Sequence, residues 1–437
     1  MIFSKANFGT FSTSLAIQTC GAGTGVLTAR ILGPVARGEL ATVILWPVIL
    51  SNLGLMGCNW ALARVVAREP QRESEWVAVG VAVGMASAPL YLLAGYFLMP
   101  LLLPTERVYL LPVARLALLL IPLDIFNQIL LSVDHGRMRW RRYNMLRLSF
   151  FLFYLGSIGL IGLSRQIEVR WFVIALLASH FLAVLLRFWI QRKCIAAARV
   201  RFAEFRYLLR AGLPYFGATA SNLASLQFDT ILVVSLLNTE AAGIYAIASA
   251  LANGQSSLGD ALGITSFAVA SNEASFGGLA KIITETFRQA ALASCGVGLA
   301  LSCLIPFCVV PLFGRGFAPA IWLAVILAMA ASTTASAGIL NQGLRGAGRP
   351  HAGIASQILG IAAVALAALF LLRRFGIAGI ALAVMLGGCT QLIVLVFAAA
   401  KWLNISPLEF WPFGFGNLRA FFRQLAGLRL RDSRSPA

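Results

Sequence analysis

Ala29-Arg30-Ile31-Leu32-Gly33-Pro34-Val35-Ala36-Arg37-Gly38-Glu39-Leu40-Ala41 is a short charged hinge between two long apolar runs. Both runs are long enough to cross a bilayer. A helix rises about 1.5 Å per residue and the hydrocarbon core is about 30 Å thick, so roughly 17–25 apolar residues make one span. Working outward, about twelve such runs follow one another, at 8–29, 40–63, 76–99, 108–133, 146–163, 169–190, 207–237, 241–270, 286–310, 318–340, 352–372 and 377–400. The expected fold is an all-α polytopic membrane bundle.

Composition agrees. Of the 437 residues, 59% are hydrophobic and 12% charged, and the mean hydropathy is +0.84, well beyond the roughly 45–50% apolar content of a soluble domain. The run after 1–7 is longer than the roughly 7–15 residues of a signal-peptide core, so it reads as a retained first span. The net charge of +19 would point to nucleic acid in a soluble protein; here it sits in short loops and reads as topology, with no nucleic-acid partner. With the N-terminus in the cytoplasm, 25 of the 35 Lys and Arg fall on the loops and helix ends of the cytoplasmic face and 8 on the other, with Arg115 and Arg187 inside spans. That asymmetry places both termini in the cytoplasm. The basic stretches 134–143, 191–206 and 419–434 are expected to touch anionic headgroups. The seven cysteines are scattered, which argues against disulfides and structural zinc.

The opening stretch returns in altered form. Shifted by 205 positions, residues 32–41 fall on Leu237-Asn238-Thr239-Glu240-Ala241-Ala242-Gly243-Ile244-Tyr245-Ala246, with Gly38 on Gly243. At the same offset Ser51-Asn52-Leu53-Gly54 falls on Ser256-Ser257-Leu258-Gly259. Asp134-His135-Gly136 and Arg142 fall on Asn341-Gln342-Gly343 and Arg349 at an offset of 207. Three fragments in order at nearly one offset indicate duplication. The offset equals six spans, an even number, so the halves insert in the same orientation and are related by an axis along the membrane normal. The expected organisation is a six-helix half over 1–206, a second over 207–400 and a basic cytoplasmic tail over 401–437.

A charge inside a span is a functional candidate. Asp124, Asn127 and Gln128 share a face of the fourth span at i, i+3 and i+4. Asn222, Ser225 and Asp229 form a stripe on the seventh span. Asn253, Ser256, Ser257 and Asp260 form one on the eighth, and Asn7, Thr10, Ser14 and Gln18 one on the first. Polar stripes facing lipid would lack partners, so they are expected to line a cavity or tie helices together. Gly21/Gly25 and Gly80/Gly84 stand one turn apart and invite close helix contact, and Pro47, Pro122, Pro214 and Pro306 bend spans. His180 reads as a packing residue. Asp229 and Asp260 are the candidate proton or sodium sites, with neutralisation of Arg30 or Arg64 as the alternative. No cofactor is expected beyond such a coupling ion.

The pattern Ala29-Arg30-Ile31-Leu32-Gly33-Pro34-x-x-x-Gly38, then Glu240-Ala241-Ala242-Gly243-Ile244-Tyr245-Ala246-Ile247-Ala248 after the seventh span, with a basic loop after the fourth, resembles the polysaccharide (O-antigen/oligosaccharide) flippase family. That family belongs to the multidrug/oligosaccharidyl-lipid/polysaccharide transporter superfamily, and the resemblance covers about 8–400. It implies a non-enzymatic flippase of the cell inner membrane that moves a polyprenyl-pyrophosphate-linked oligosaccharide by alternating access, for cell-surface polysaccharide synthesis, alongside other polysaccharide-assembly proteins. Arginine suits such phosphates, being always charged and bidentate. Arg30, Arg37, Arg64 and Arg345 end spans near the expected cavity mouths, and Gln18, Asn52, Asp124, Asn127, Gln128 and Asn253 complete the expected substrate-binding set. A membrane-embedded polymerase or ligase and a cation-coupled drug exporter are the alternatives. The first needs acid/base residues on a long outer loop, and these loops are short. The second suits acidic cavities better than cationic mouths.

Overall fold

The computed structural model describes residues 5–164, 167–196, 201–255, 263, 266, 276–347, 349 and 351–414. Among these the chain is helical with no strand. The helices are α1 (Lys5–Gly54), α2 (Cys58–Arg68), α3 (Glu73–Leu102), α4 (Leu111–Ala117), α5 (Leu120–Gly136), α6 (Trp140–Ser164), α7 (Val169–Ala196), α8 (Phe202–Leu236), α9 (Thr239–Ala252), α10 (Phe276–Phe313), α11 (Ala320–Gly346), α12 (His351–Phe375) and α13 (Ile377–Leu403).

The hinge falls where the sequence puts it. α1 is two helices, 5–32 and 34–54, joined at Gly33, whose φ of 70° lies in the left-handed region. Glycine reaches that conformation without steric cost, and Pro34 opens the next helix with its φ already set. The fifty residues of α1 would measure about 75 Å if straight, more than two membrane thicknesses, so its two arms are separate spans. The second span differs from its expected extent of 40–63. It breaks at Met56 and Gly57, both with positive φ, and resumes as α2. The fourth is likewise divided, into α4 and α5, at Leu118 and Leu119. The eighth is described over α9, the turn 253–255 and the single residues 263 and 266.

By contact the chain forms two compact units: Met1–Ile247 with Val310–Ala318, and Ala248–Val309 with Pro319–Ala437. In the first, α5 is central and packs against α1, α2, α3, α6 and α7. Its Ile121, Ile125, Ile129 and Leu130 are fully buried. Gly80 and Gly84 of α3 let α5 come close, since a Cβ there would press on Ile129 at 3.1 and 3.0 Å. Gly21 and Gly25 do not work this way: nothing lies within 4 Å of where their side chains would be. In the second unit α13 packs along α12 and α11, with Leu340, Leu344, Leu395, Ala399 and Leu403 in the core. Leu90, Leu93, Phe97 and Leu101 form an exposed apolar row on α3. Three- and four-residue steps keep such a row on one helix face, as a lipid-facing surface requires.

Candidate functional site: cations inside the first unit

Within the first unit a polar network runs through the apolar core of α1, α5 and α7. Asp124 accepts from Ser51 Oγ at 2.7 Å and from Gln128 Nε2 at 3.0 Å. Asn127, one turn along, faces α7 instead: its Nδ2 stands 3.1 Å from His180 Nδ1, and its Oδ1 accepts from Arg187 Nη1. Arg187 Nη2 donates to the Leu146 carbonyl at 2.7 Å, and its Nε is buried without a partner. Gln191 donates to the Leu130 carbonyl at 2.9 Å, and His180 packs on Phe150 with ring centroids 4.2 Å apart. The three polar residues of the expected α5 stripe thus divide between two neighbours. Only Asp124 brings a carboxylate to this network, and it lies beyond ion-pair distance of Arg187.

Arg37 is another cation of this unit. It lies half-buried on the second arm of α1 beside the Tyr154 phenol, and its Nε is buried without a hydrogen-bond partner. Among the described residues no ion pair includes Arg30, Arg37, Arg64, Arg187, Asp124 or Asp229. Arg30 reaches instead to the Leu312 carbonyl at 2.7 Å and to the Pro311 carbonyl, two acceptors that the end of α10 leaves unsatisfied. Arg64 is exposed and donates to Tyr215 Oη at 3.3 Å.

Asp229 on α8 is held by neutral donors. Its Oδ2 accepts from Tyr245 Oη at 2.6 Å, and its Oδ1 accepts from the Thr230 backbone N–H at 2.7 Å and Thr230 Oγ1 at 3.3 Å. Neutralisation by Arg30 or Arg64 is therefore not its role in this structure. Asp260, the paired coupling candidate, lies outside the described residues. Asn52 donates to the Val48 carbonyl one turn back at 2.8 Å, and Gln18 is half-buried on the first arm of α1. In the second unit, Asn253 is exposed and donates to Ser249 at 3.3 Å, while Arg345 is half-buried in the last turn of α11. Arg115, inside the fourth span, lies over the Tyr96 ring at 4.4 Å.

The matched hinge glycines meet. A side chain on Gly38 would collide with the Thr239 carbonyl and the Gly243 backbone N; one on Gly243 would collide with the Pro34 carbonyl and the Gly38 backbone N. The first turns of the second α1 arm and of α9 therefore cross backbone on backbone. Arg107, only 3% exposed, secures this end by donating to Thr42 Oγ1 at 2.9 Å, the Val234 carbonyl at 3.0 Å and the Leu237 carbonyl.

At its other end α8 packs on the break after the second span. A Cβ on Gly57 would meet the Gly212 carbonyl, and Cys58 Sγ lies 3.9 Å from the Leu208 carbonyl. Charge gathers here. Arg72 pairs with Glu69 at 3.2 Å, Glu75 at 2.5 Å and Glu204. Glu73 takes Arg137 at 3.0 Å and Arg139 at 2.6 Å, and Arg142 meets the fully buried Asp134 at 2.6 Å. The hydrogen bonds to Glu73 raise the Arg139 guanidinium above its ordinary value.

Sequence reasoning underrated Arg107 and Arg187. The charge inside a span was the available signal for Arg187; its partners on α5 and α6 lie 60 and 41 residues away, beyond the reach of any local pattern. Among the described residues no group of His, Cys, Asp and Glu side chains is placed to hold a metal ion.

These features define a multi-pass helical membrane protein whose first unit holds arginines that form no ion pair among the described residues. Residues 5–258 match the model of the polysaccharide biosynthesis protein family, and the chain belongs to that family. No curated protein sequence matches the chain. Among solved structures, it is similar to an inward-facing multidrug-resistance MATE family transporter of the MOP superfamily (TM-score 0.70, 15% identity, 92% of this chain and 98% of that one). It is also similar to the lipid II flippase MurJ in an inward closed conformation (TM-score 0.71, 14% identity, 94% and 91%). A eukaryotic MATE transporter aligns as well (TM-score 0.57, 15% identity, 91% and 98%). At these identities the likeness establishes a shared fold.

Proposed function

We propose that the chain is a flippase. It carries a polyprenyl-pyrophosphate-linked oligosaccharide across the cell inner membrane by alternating access and makes or breaks no covalent bond. The half-buried Arg37, whose Nε is buried without a hydrogen-bond partner or carboxylate, carries this reading. A partly desolvated cation that pairs with no carboxylate among the described residues costs free energy, and an anionic ligand offsets that cost when it binds. Membership of a polysaccharide biosynthesis family and a fold shared with a lipid II flippase support a lipid-linked sugar as that anion. Both termini are cytoplasmic in this reading, by the distribution of positive charge. The moving bodies are the halves 1–206 and 207–400, and the tail 401–437 lies on the cytoplasmic surface. Asp229, bonded to Tyr245 and Thr230, is the coupling group for a proton or sodium ion.

The test is deletion of the gene with complementation by variants. Arg37→Ala should lower export of lipid-linked sugar at least tenfold, the scale of one lost charge-assisted contact at about 1.4 kcal/mol or more. Arg37→Lys should retain a measurable part. Export unchanged in Arg37→Ala removes phosphate binding by this side chain. Arg30→Ala is a poorer probe, because Arg30 also caps α10.

A further inference from the structure

The loop after the fourth span and its counterpart after the tenth differ at the position of a buried carboxylate. In the first copy Asp134 is fully buried and forms an ion pair with Arg142 at 2.6 Å. Eight residues separate the two, and the second copy keeps the spacing as Asn341 and Arg349. The carboxylate has become an amide, so the second copy keeps the cation and loses its counter-ion. Arg349 has no ion pair among the described residues. Its guanidinium lies 5.5 Å from the centroid of the Trp402 ring.

Arg349 opens onto a cavity of 210 Å³ lined by Leu344, Arg349, His351, Ala352, Ala398 and Trp402. That volume is several times a water molecule's share of about 30 Å³. Its ionisable side chains are an arginine and a histidine, so the walls offer donors and no carboxylate. Its remaining lining is aliphatic. The position suits a headgroup: the cavity sits where the ends of α11 and α13 meet the start of α12. Tryptophan and basic side chains concentrate at that depth, where one end of a group is apolar and the other wet.

We propose that this cavity binds the phosphate of an anionic membrane lipid, held by Arg349 and His351 with its acyl chains running down the apolar wall beside Ala398. The site lies wholly within the second unit and does not depend on the flippase reading. Arg349 supplies bidentate donors to the phosphodiester, and Trp402 holds the guanidinium plane in place.

The experiment is native mass spectrometry of the full-length protein in detergent, titrated with dioleoylphosphatidylglycerol or dioleoylphosphatidylcholine. Wild type should retain one more phosphatidylglycerol than Arg349→Ala, with affinity at that site at least fivefold weaker in the variant, the equivalent of about 1 kcal/mol per basic residue at a membrane surface. Arg349→Lys should fall between them, and melting temperature in phosphatidylcholine micelles shows that each variant is folded. Phosphatidylcholine should show no difference between the proteins. Equal phosphatidylglycerol retention by wild type and Arg349→Ala overturns the proposal, as does equal preference for the two lipids. Displacement of the lipid by millimolar inorganic phosphate assigns the site to a free anion and overturns its identity as a lipid site.

Discussion

α8 and α9 meet the first six spans at two ends, and the two ends are built from different chemistry. At one, Gly38 and Gly243 cross backbone on backbone, and the buried Arg107 ties Thr42 to the carbonyls of Val234 and Leu237. At the other, Gly57 and Gly212 also approach closely, but the clamp around them is ionic: Arg72 bridges Glu69, Glu75 and Glu204 with more than a third of its side chain exposed. Exposed pairs contribute about 0–1 kcal/mol each and weaken with salt, whereas a buried donor on backbone carbonyls leaves orphaned acceptors when it is withdrawn. The two ends therefore differ in what it takes to open them. The Arg72 end is the easier to part, and the Gly38 end depends on the absence of side chains.

Enlarging the glycine crossing should break this asymmetry most severely. Gly243→Leu places four carbons where the Pro34 carbonyl and Gly38 backbone N stand. Backbone cannot step aside as a side chain can, so a loss of about 3 kcal/mol is expected, at the upper end of overpacking costs. The measurement is thermal unfolding in detergent, with Gly21→Ala as the contrast. Gly21 has nothing within 4 Å, and alanine there should be neutral or stabilising by about 0.5–1 kcal/mol, the helix-propensity difference.

Arg107→Ala comes next. It leaves two carbonyls and Thr42 without their donor in a buried position, an expected cost of about 2 kcal/mol. The loss should be insensitive to salt, because no carboxylate pairs with this arginine among the described residues. Unfolding at 0.1 and 1 M salt checks both statements.

The smallest effect belongs to the ionic end. Arg72→Ala and Glu204→Gln should each lower the unfolding temperature less than Arg107→Ala does, and 1 M salt should erase most of the difference from wild type. The charge exchange Arg72→Glu with Glu204→Arg should leave part of the loss in place, because Glu69 and Glu75 then face a like charge. A large salt-resistant loss at Arg72 would mean that the two ends are held by the same kind of interaction.

Which parts of this were legible in the sequence follows from the range of each signal. The hinge at Gly33 was legible because Gly33-Pro34 lies between two apolar runs, and the duplication gave Gly243 its counterpart at a fixed offset. The break at Met56 and Gly57 was not, because the run around it is uniformly apolar and the turn is set by packing against Gly212, 155 residues further along. Small-residue spacing succeeded at Gly80 and Gly84 and failed at Gly21 and Gly25. It records that a helix face is smooth and says nothing of whether a neighbour lies on it. Asp124, Asn127 and Gln128 fall together by spacing, yet Asp124 turns to Ser51 on α1 while Asn127 turns to His180 and Arg187 on α7, partners that no local pattern reveals. The arginine at Arg30 was visible as a charge at a span end. Its acceptors, 281 and 282 residues away, were not.

The central claim is that the chain carries lipid-linked oligosaccharide across the bilayer by alternating access. The most direct measurement reconstitutes the full chain in proteoliposomes with a fluorescent polyprenyl-pyrophosphate oligosaccharide in the bilayer. Loss of signal to a membrane-impermeant quencher is followed over time. The account predicts that wild type carries the inner-leaflet pool to the quencher, that folded Arg72→Ala protein still does so, and that Gly243→Leu, unable to close its end, leaves that pool protected. Protection of the inner pool in wild-type vesicles, or its full exposure by folded Gly243→Leu protein at the wild-type rate, would contradict it.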